Sequence, residues 1–414
     1  MQGRFWTNVA GVLSGTAVAQ AIPILGALIL ARLFLPDAFG GYSVWLGFVL
    51  ILTVLLTLRL EMALPVMDDG PKREEAAALI FVTILSVGIG VLLVSLLLWG
   101  LGVISSEFAG PWLLAAIVLA AMLTAASETW QGLAAADGTY RILVKIRIGR
   151  AASILVCQIV AALTSREPEA LILGHIVGLG LTLFFAQWVR PLPFPAVTGL
   201  RYKLRKFWRS YSRFPTFALP ADLISSISAQ MPLFILSARF GAEVAGIFAL
   251  SMRVLLTPVG LLGRSVLDVF RRYSADAFRT RGECTAEYRS TIKVLFLISI
   301  SLAAGTFLFA EYLFVFAFGE AWRQAGTYAI WLAPVVALGF MASPLSYVFY
   351  VVGRQNIDLM WQVGLFLVVL TALFISQDVK GTILAYSFGY SLMYIIYIFL
   401  SYSASKGRVD DRHS

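Results

Sequence analysis

The sequence predicts an all-α polytopic membrane protein of about 12 transmembrane helices, arranged as two pseudo-symmetric six-helix bundles. Three observations carry this. First, 59% of the 414 residues are hydrophobic and only 13% are charged, with a mean hydropathy of +0.85, far from the composition of a soluble domain. Second, uncharged runs of 27 residues between Arg4 and Arg32, 31 between Glu75 and Glu107, 30 between Arg323 and Arg354 and 25 between Lys380 and Lys406 each exceed the ~20 apolar residues that carry a helix across a bilayer. Third, a turn, a glycine and an arginine recur at matching spacing in the two halves of the chain.

Taken in order, the spans fall near 7–32, 40–66, 76–103, 112–136, 142–164, 170–189, 216–239, 244–267, 291–318, 325–351, 359–376 and 381–402. The first apolar segment is too long for a signal peptide and has no small-residue cleavage site, so it is expected to remain as the first span. An even number of spans leaves both termini on one side. Loops on that side hold Arg4, Lys72, Arg73, Arg141, Lys145, Arg147, Arg150, a basic cluster at mid-chain and most cations of the second half. The opposite side holds only Arg32, Arg166, Arg239, Arg323 and Lys380, which predicts cytoplasmic termini by the excess of Lys and Arg in cytoplasmic loops.

A linker at 190–215 separates the halves. Its proline run, RPLPFP, ends the sixth helix. Arg201, Arg205, Arg209 and Arg213 then recur every four residues, with Leu204, Phe207, Trp208 and Tyr211 on the opposite helical face. That pattern suits a helix lying on a membrane surface, with anionic lipid as its partner. The domains are therefore 1–189 (first bundle), 190–215 (basic amphipathic linker), 216–402 (second bundle) and 403–414 (cytoplasmic tail).

The repeat sets ARLFLPDAFGGYSV, from Ala31, beside ARFGAEVAGIFA, from Ala238. Gln20 and Pro23 precede the first, and Gln230 and Pro232 the second. With Gly41 and Gly246 taken as equivalent, Arg59 and Arg264 both follow 18 residues later. Six spans per half make the repeat parallel, with its axis along the membrane normal. The competing explanation is chance likeness between apolar segments of similar composition.

Several chemistries find no support. Cys157 and Cys284 are too few and too differently placed for a disulfide framework. His175 and His413 are far apart, so neither a metal site nor histidine catalysis is expected, and no cofactor is expected. The net charge of +9 sits in membrane-flanking loops, where topology and anionic lipid explain it without nucleic acid. Far-side loops of roughly ten residues or fewer leave no room for the catalytic loop of a membrane polymerase or glycosyltransferase, so the chain is not expected to be an enzyme.

The candidate site residues are the charges inside spans: Arg59 and Glu61 in the second, Glu128 in the fourth, Asp222 in the seventh, Arg253 and Arg264 in the eighth. A charge at mid-membrane costs about 2.5–3.5 kcal/mol on insertion scales and marks a pathway or a watery cavity. Arg59 and Glu61 lie near the cytoplasmic end, where snorkelling or pairing with a neighbour is an equal alternative. Arg253, nine residues from the short far-side turn, is too deep to snorkel easily and is expected to line a cavity. Prolines 23, 65, 220, 232, 258, 334 and 344 permit bends. Asn8, Gln20, Gln131 and Gln230 are suited either to sugar hydroxyls or to hydrogen bonds between helices.

The run RFPTFALPADLISSISAQMPLFILSARFGAEVAGIFALSMRVLLTPVGLLGRSVLDVF, with RLFLPDAFGGYSVW and TLRLEMALPV in the first half, resembles the polysaccharide (O-antigen type) flippases of the multidrug/oligosaccharidyl-lipid/polysaccharide exporter superfamily. The resemblance implies two six-helix bundles around a central cavity. It further implies movement of an undecaprenyl-diphosphate-linked oligosaccharide from the cytoplasmic to the periplasmic leaflet of a bacterial inner membrane. Members of that family have a cation-lined cavity; here only Arg59, Arg253 and Arg264 fit by depth, and they would bind the diphosphate.

Two other readings compete. A cation-coupled multidrug antiporter of the same superfamily would use buried carboxylates such as Asp222 or Glu128 for coupling. A membrane enzyme that polymerises or transfers lipid-linked oligosaccharide is the third, and polysaccharide polymerase machinery is a candidate partner of a flippase.

Overall fold

The computed structural model describes residues 22–67, 70–104, 110–192 and 199–407, and among them it is entirely helical apart from turns. The helices are α1 (Ile22–Leu33), α2 (Pro36–Thr57), α3 (Pro71–Gly100), α4 (Pro111–Ala136), α5 (Tyr140–Ala161), α6 (Pro168–Val189), α7 (Leu200–Ser210), α8 (Leu219–Phe240), α9 (Ala242–Arg281), α10 (Thr285–Phe318), α11 (Arg323–Leu345), α12 (Val348–Val351), α13 (Gln355–Ile375) and α14 (Val379–Ser405).

Local chemistry sets many of these ends. Prolines 36, 71, 111 and 168 open α2, α3, α4 and α6 at the first turn, where the missing N–H costs nothing and the fixed φ already suits a helix. The 40-residue α9 begins after Gly241 (φ 93°) and stops at Gly282 (φ 74°), both in backbone conformations that disfavour a side chain.

Ten helices among the described residues are long and apolar enough to cross a membrane, and the protein is a multi-pass membrane protein. The fifth expected span, α5, is a helix of 22 residues, but Arg141, Lys145, Arg147 and Arg150 occupy its first half and lower its hydropathy. The first expected span, 7–32, lies largely outside the described residues, as do Asn8, Gln20 and His413. Two expected boundaries need correction. The second span, read as 40–66, stops at Thr57: Leu58 and Arg59 adopt left-handed conformations (φ 50° and 58°), and a 3-10 turn, Leu60–Val66, follows. The eighth, read as 244–267, continues as unbroken helix to Arg281.

The chain divides into two compact units, Met1–Phe234 and Ile235–Ser414. The first has a core of Phe34, Trp45, Val49, Leu56, Leu64, Ile80 and Leu133 among others. Its α5 and α6 approach closely: a Cβ on Gly174 or Gly178 would fall 2.7 Å from Gln158 Cα or 2.5 Å from Ile154 Cα, the small-residue spacing that lets membrane helices touch backbone to backbone. The linker does form a helix, α7, and its Leu204 and Phe207 join this core. The second unit is centred on Phe270, Tyr288, Phe340, Phe349 and Tyr397.

Candidate functional site

The left-handed turn at the end of α2 aims Arg59 away from the helix axis. Its backbone N–H is held by Thr57 Oγ1 at 3.2 Å, while its Nε donates to Asp222 Oδ2 at 2.5 Å and its terminal nitrogen to Glu61 Oε1 at 3.0 Å. Asp222 stands in the first turn of α8, which is entered through a π-helical turn, Phe214–Ala218; such turns recur at functional positions in helices. A cleft of about 590 Å³, lined by Val66, Tyr211, Arg213, Phe214 and Phe217, opens where this π turn meets the 3-10 turn.

The arginine is about a quarter exposed and Glu61 about an eighth (26% and 13% of the side chain). The second oxygen of Glu61 is buried with no hydrogen-bond partner among the described residues. A buried carboxylate oxygen left unpaired is costly, so this is an acceptor with spare capacity beside a guanidinium that already serves two carboxylates.

Glu128 on α4 lies within electrostatic reach of Glu61 and Arg59. Its nearest partner is Arg150 on α5, at 3.8 Å. One turn from Arg150, Arg147 Nε donates to Gln131 Oε1 at 3.2 Å. The carboxylates of Glu61, Asp222 and Glu128 and the guanidiniums of Arg59, Arg147 and Arg150 therefore share this part of the first unit, and Arg59 is not presented as a bare cation.

Arg59 and Asp222 are thus brought together, with Glu128 nearby. In the second unit, Arg253 is exposed on α9 and makes no ion pair among the described residues. Position 264 is three turns further along α9, on the same helical face, and its side chain lies outside the described residues.

Sequence reasoning missed Arg150, which it placed in a loop; Leu143 and Ile146, buried on the same helix, are the amphipathic signal that would have recovered it. It also passed over Asp358, buried on α13, whose carboxylate accepts from Tyr397 Oη and from Gln362 Nε2 (2.9 Å). His175 is held by Tyr42, whose hydroxyl is 2.7 Å from Nδ1. No three His, Cys, Asp or Glu side chains among the described residues are grouped to hold a metal.

A family model described as polysaccharide biosynthesis protein matches residues 29–326. The chain belongs to the polysaccharide biosynthesis protein family. The expected likeness to polysaccharide flippases of the exporter superfamily is borne out at this level. A relative, the teichuronic acid biosynthesis protein TuaB of Bacillus subtilis, is 23% identical over 188 residues, which cover 45% of this chain and 39% of TuaB. The match thus spans about two fifths of that relative's length.

Among solved structures, the fold is similar to that of lipid II flippase MurJ in an inward closed conformation, with a TM-score of 0.67 at 11% identity over 94% of this chain and 87% of that one. It is also similar to a point mutant of the Vibrio cholerae MATE transporter VcmN, with a TM-score of 0.56 at 15% identity over 96% and 95% of the two chains. An inward-facing MATE family transporter of the MOP superfamily gives 0.57 at 15% identity over 94% and 93%.

Proposed function

We propose that this protein is a flippase, not an enzyme, that moves an undecaprenyl-diphosphate-linked oligosaccharide from the cytoplasmic to the periplasmic leaflet of a bacterial inner membrane by alternating access, with both termini cytoplasmic. The observation that carries this is the pairing of a polysaccharide-biosynthesis family match with a fold shared by a lipid II flippase. In this reading, residues 1–189 and 216–402 are the two helical halves, 190–215 links them and 403–414 is a cytoplasmic tail.

The energetics suit the task. A diphosphate diester carries about two negative charges, and moving it outward from a negative interior, down the electrical potential, releases roughly 4–5 kcal/mol per 100 mV. The protein must supply a hydrated, cationic route, because the head group cannot enter hydrocarbon. Arg59, Arg253 and Arg264 are the proposed diphosphate ligands, since guanidinium is permanently charged and grips phosphate through paired N–H donors. Asp222 and Glu61 then hold Arg59 when no substrate is present, and the diphosphate displaces them from it.

A second reading, a cation-coupled multidrug antiporter, is favoured by one observation: Asp222 and Glu61 engage Arg59, and Glu128 faces Arg150, so carboxylates are built into the polar group rather than cations alone. Asp222 and Glu128 would then carry the coupling ion.

The deciding experiment is a deletion strain assayed for the face on which lipid-linked repeat units accumulate, complemented by membrane-inserted variants. Units trapped on the cytoplasmic face, with no rescue by Arg59→Gln/Arg253→Gln/Arg264→Gln, are expected. Units that already face the periplasm in the deletion strain would instead indicate a polymerase or transferase acting after export. Loss of drug efflux in Asp222→Asn with sugar export intact would favour the antiporter.

A further inference from the structure

We propose that the groove between α7 and α3 is a binding site for the head group of an anionic phospholipid, separate from the Arg59 group. Two contacts fix α7 along α3. Lys203 Nζ pairs with Glu75 at 2.7 Å, and Trp208 Nε1 donates to Thr83 Oγ1 at 3.0 Å. The eight-residue step from Glu75 to Thr83 corresponds to about 12 Å of helix. The apolar side of α7 is spent on the protein itself, because Leu200, Leu204, Phe207 and Tyr211 pack into the core of the first unit. The helix is therefore a fixed wall rather than a float that inserts into lipid.

The consequence concerns the cations. Arg201, Arg205 and Arg209 recur once per turn and are all exposed. No carboxylate pairs with them among the described residues. They stand beside the part of α3 that carries no charge of its own, from Ala76 onward. Between the two helices is a cleft of about 770 Å³ lined by the three arginines together with Ser86, Leu204 and Trp208. From the residue beside Ser86 onward, α3 presents Leu85, Ile89, Leu93 and Leu97, four residues apart and each about half exposed or more.

A cationic, hydroxyl-bearing pocket thus continues into an apolar stripe on a single helix. A free phosphate would answer only the first part and an apolar peptide only the second, whereas an anionic phospholipid answers both. Its phosphate would meet guanidinium forks, its acyl chains would lie along the stripe, and the aromatic edge of Trp208 would sit at the boundary between them.

The test uses the full chain reconstituted in phosphatidylcholine vesicles containing a tenth of either brominated phosphatidylglycerol or brominated phosphatidylcholine. Bromine quenches nearby tryptophan, and the difference between the parent protein and Trp208→Phe isolates Trp208. Brominated phosphatidylglycerol is expected to quench that component about threefold more than brominated phosphatidylcholine, as local enrichment of an anionic lipid beside clustered arginines requires. Arg201→Gln/Arg205→Gln/Arg209→Gln should bring the ratio to one. These side chains are exposed and the core-facing side of α7 is untouched, so the variant should fold, and unchanged emission from the other tryptophans verifies this. A ratio near one in the parent protein, or a preference that survives in the triple variant, would overturn the proposal. So would displacement of brominated phosphatidylglycerol by undecaprenyl diphosphate but not by unlabelled phosphatidylglycerol, which would assign the groove to the polyprenyl lipid.

Discussion

Arg59 Nε lies 2.5 Å from Asp222 Oδ2, clasping the turn that ends α2 to the first turn of α8 across 163 positions of sequence. The geometry depends on two consecutive left-handed residues, Leu58 and Arg59, neither of them glycine, a conformation that persists only where surrounding contacts enforce it. Core burial of Leu56, Leu60 and Leu64 on either side supplies that enforcement.

The two arms of this clasp should be unequal. Asp222→Asn leaves Arg59 paired with Glu61, whereas Arg59→Gln strands Glu61, whose second oxygen is already without a partner. Arg59→Gln is therefore expected to lower the thermal midpoint of the purified protein more than Asp222→Asn does. A double-mutant cycle should return a coupling of about 1–3 kcal/mol between the two residues. Additive effects of the two substitutions would show that the clasp contributes nothing.

The apolar spans were legible because uncharged runs longer than a bilayer leave few alternatives. Pairing with a neighbour was legible for Arg59 only as one of several alternatives, since Glu61 is only two residues away. The Asp222 partner was not, because no local pattern ties residue 59 to residue 222. The stop at Thr57 escaped for a related reason: no glycine or proline marks Leu58, and Pro65 lies inside the 3-10 turn that follows. The amphipathic pattern of 200–211 correctly gave a helix, but hydrophobicity alone cannot say whether an apolar face meets lipid or, as for Phe207, the protein's own core. Counting cations by loop misplaced Arg150 because a charged first half does not prevent α5 from being helical.

A second polar junction should be purely structural. Arg73, with its side chain 4% exposed, donates to Asp137 Oδ1 at 2.8 Å and to Ala136 O at 2.9 Å, and Arg190 reaches the other oxygen of Asp137. Asp137→Ala would leave two guanidiniums facing each other without their shared counter-ion, at a cost of about 3–5 kcal/mol. The expected outcome is a large loss of folded, detergent-extractable protein, with partial recovery in Asp137→Glu. Unchanged yield and thermal midpoint in Asp137→Ala would refute the role.

The α5–α6 contact offers an internally controlled comparison. A methyl group at Gly178 would meet Ile154 Cα at 2.5 Å, whereas one at Gly180, on the same helix, meets nothing within 4 Å. Gly178→Ala is expected to destabilise by about 1–3 kcal/mol through forced separation of the helices. Gly180→Ala should be neutral or slightly stabilising, because it removes only unfolded-state freedom. Equal thermal midpoints for the two variants would mean that the backbones do not touch.

Cys284 follows the C-terminus of α9, fully buried, with its N–H donating to Ser405 O at 2.9 Å. Burial, and secondarily the charges of Glu287 and Glu283, push its thiol from 9.0 up to about 11. Only the thiolate reacts with maleimide, and at pH 7.5 a thiol of that acidity is ionised to about one part in three thousand. In a Cys157→Ser background, the native protein should therefore resist labelling under conditions in which the detergent-denatured chain is modified completely. The sign of the pH dependence follows from the same shift. The native state holds its proton more tightly than the unfolded chain, so this stabilising contribution is complete below pH 9 and fades as pH rises toward 11, while labelling of the native protein should increase over that interval. Rapid, complete labelling of the native protein at pH 7.5 would place the sulfur in water and remove it from the junction between α9, α10 and the end of α14.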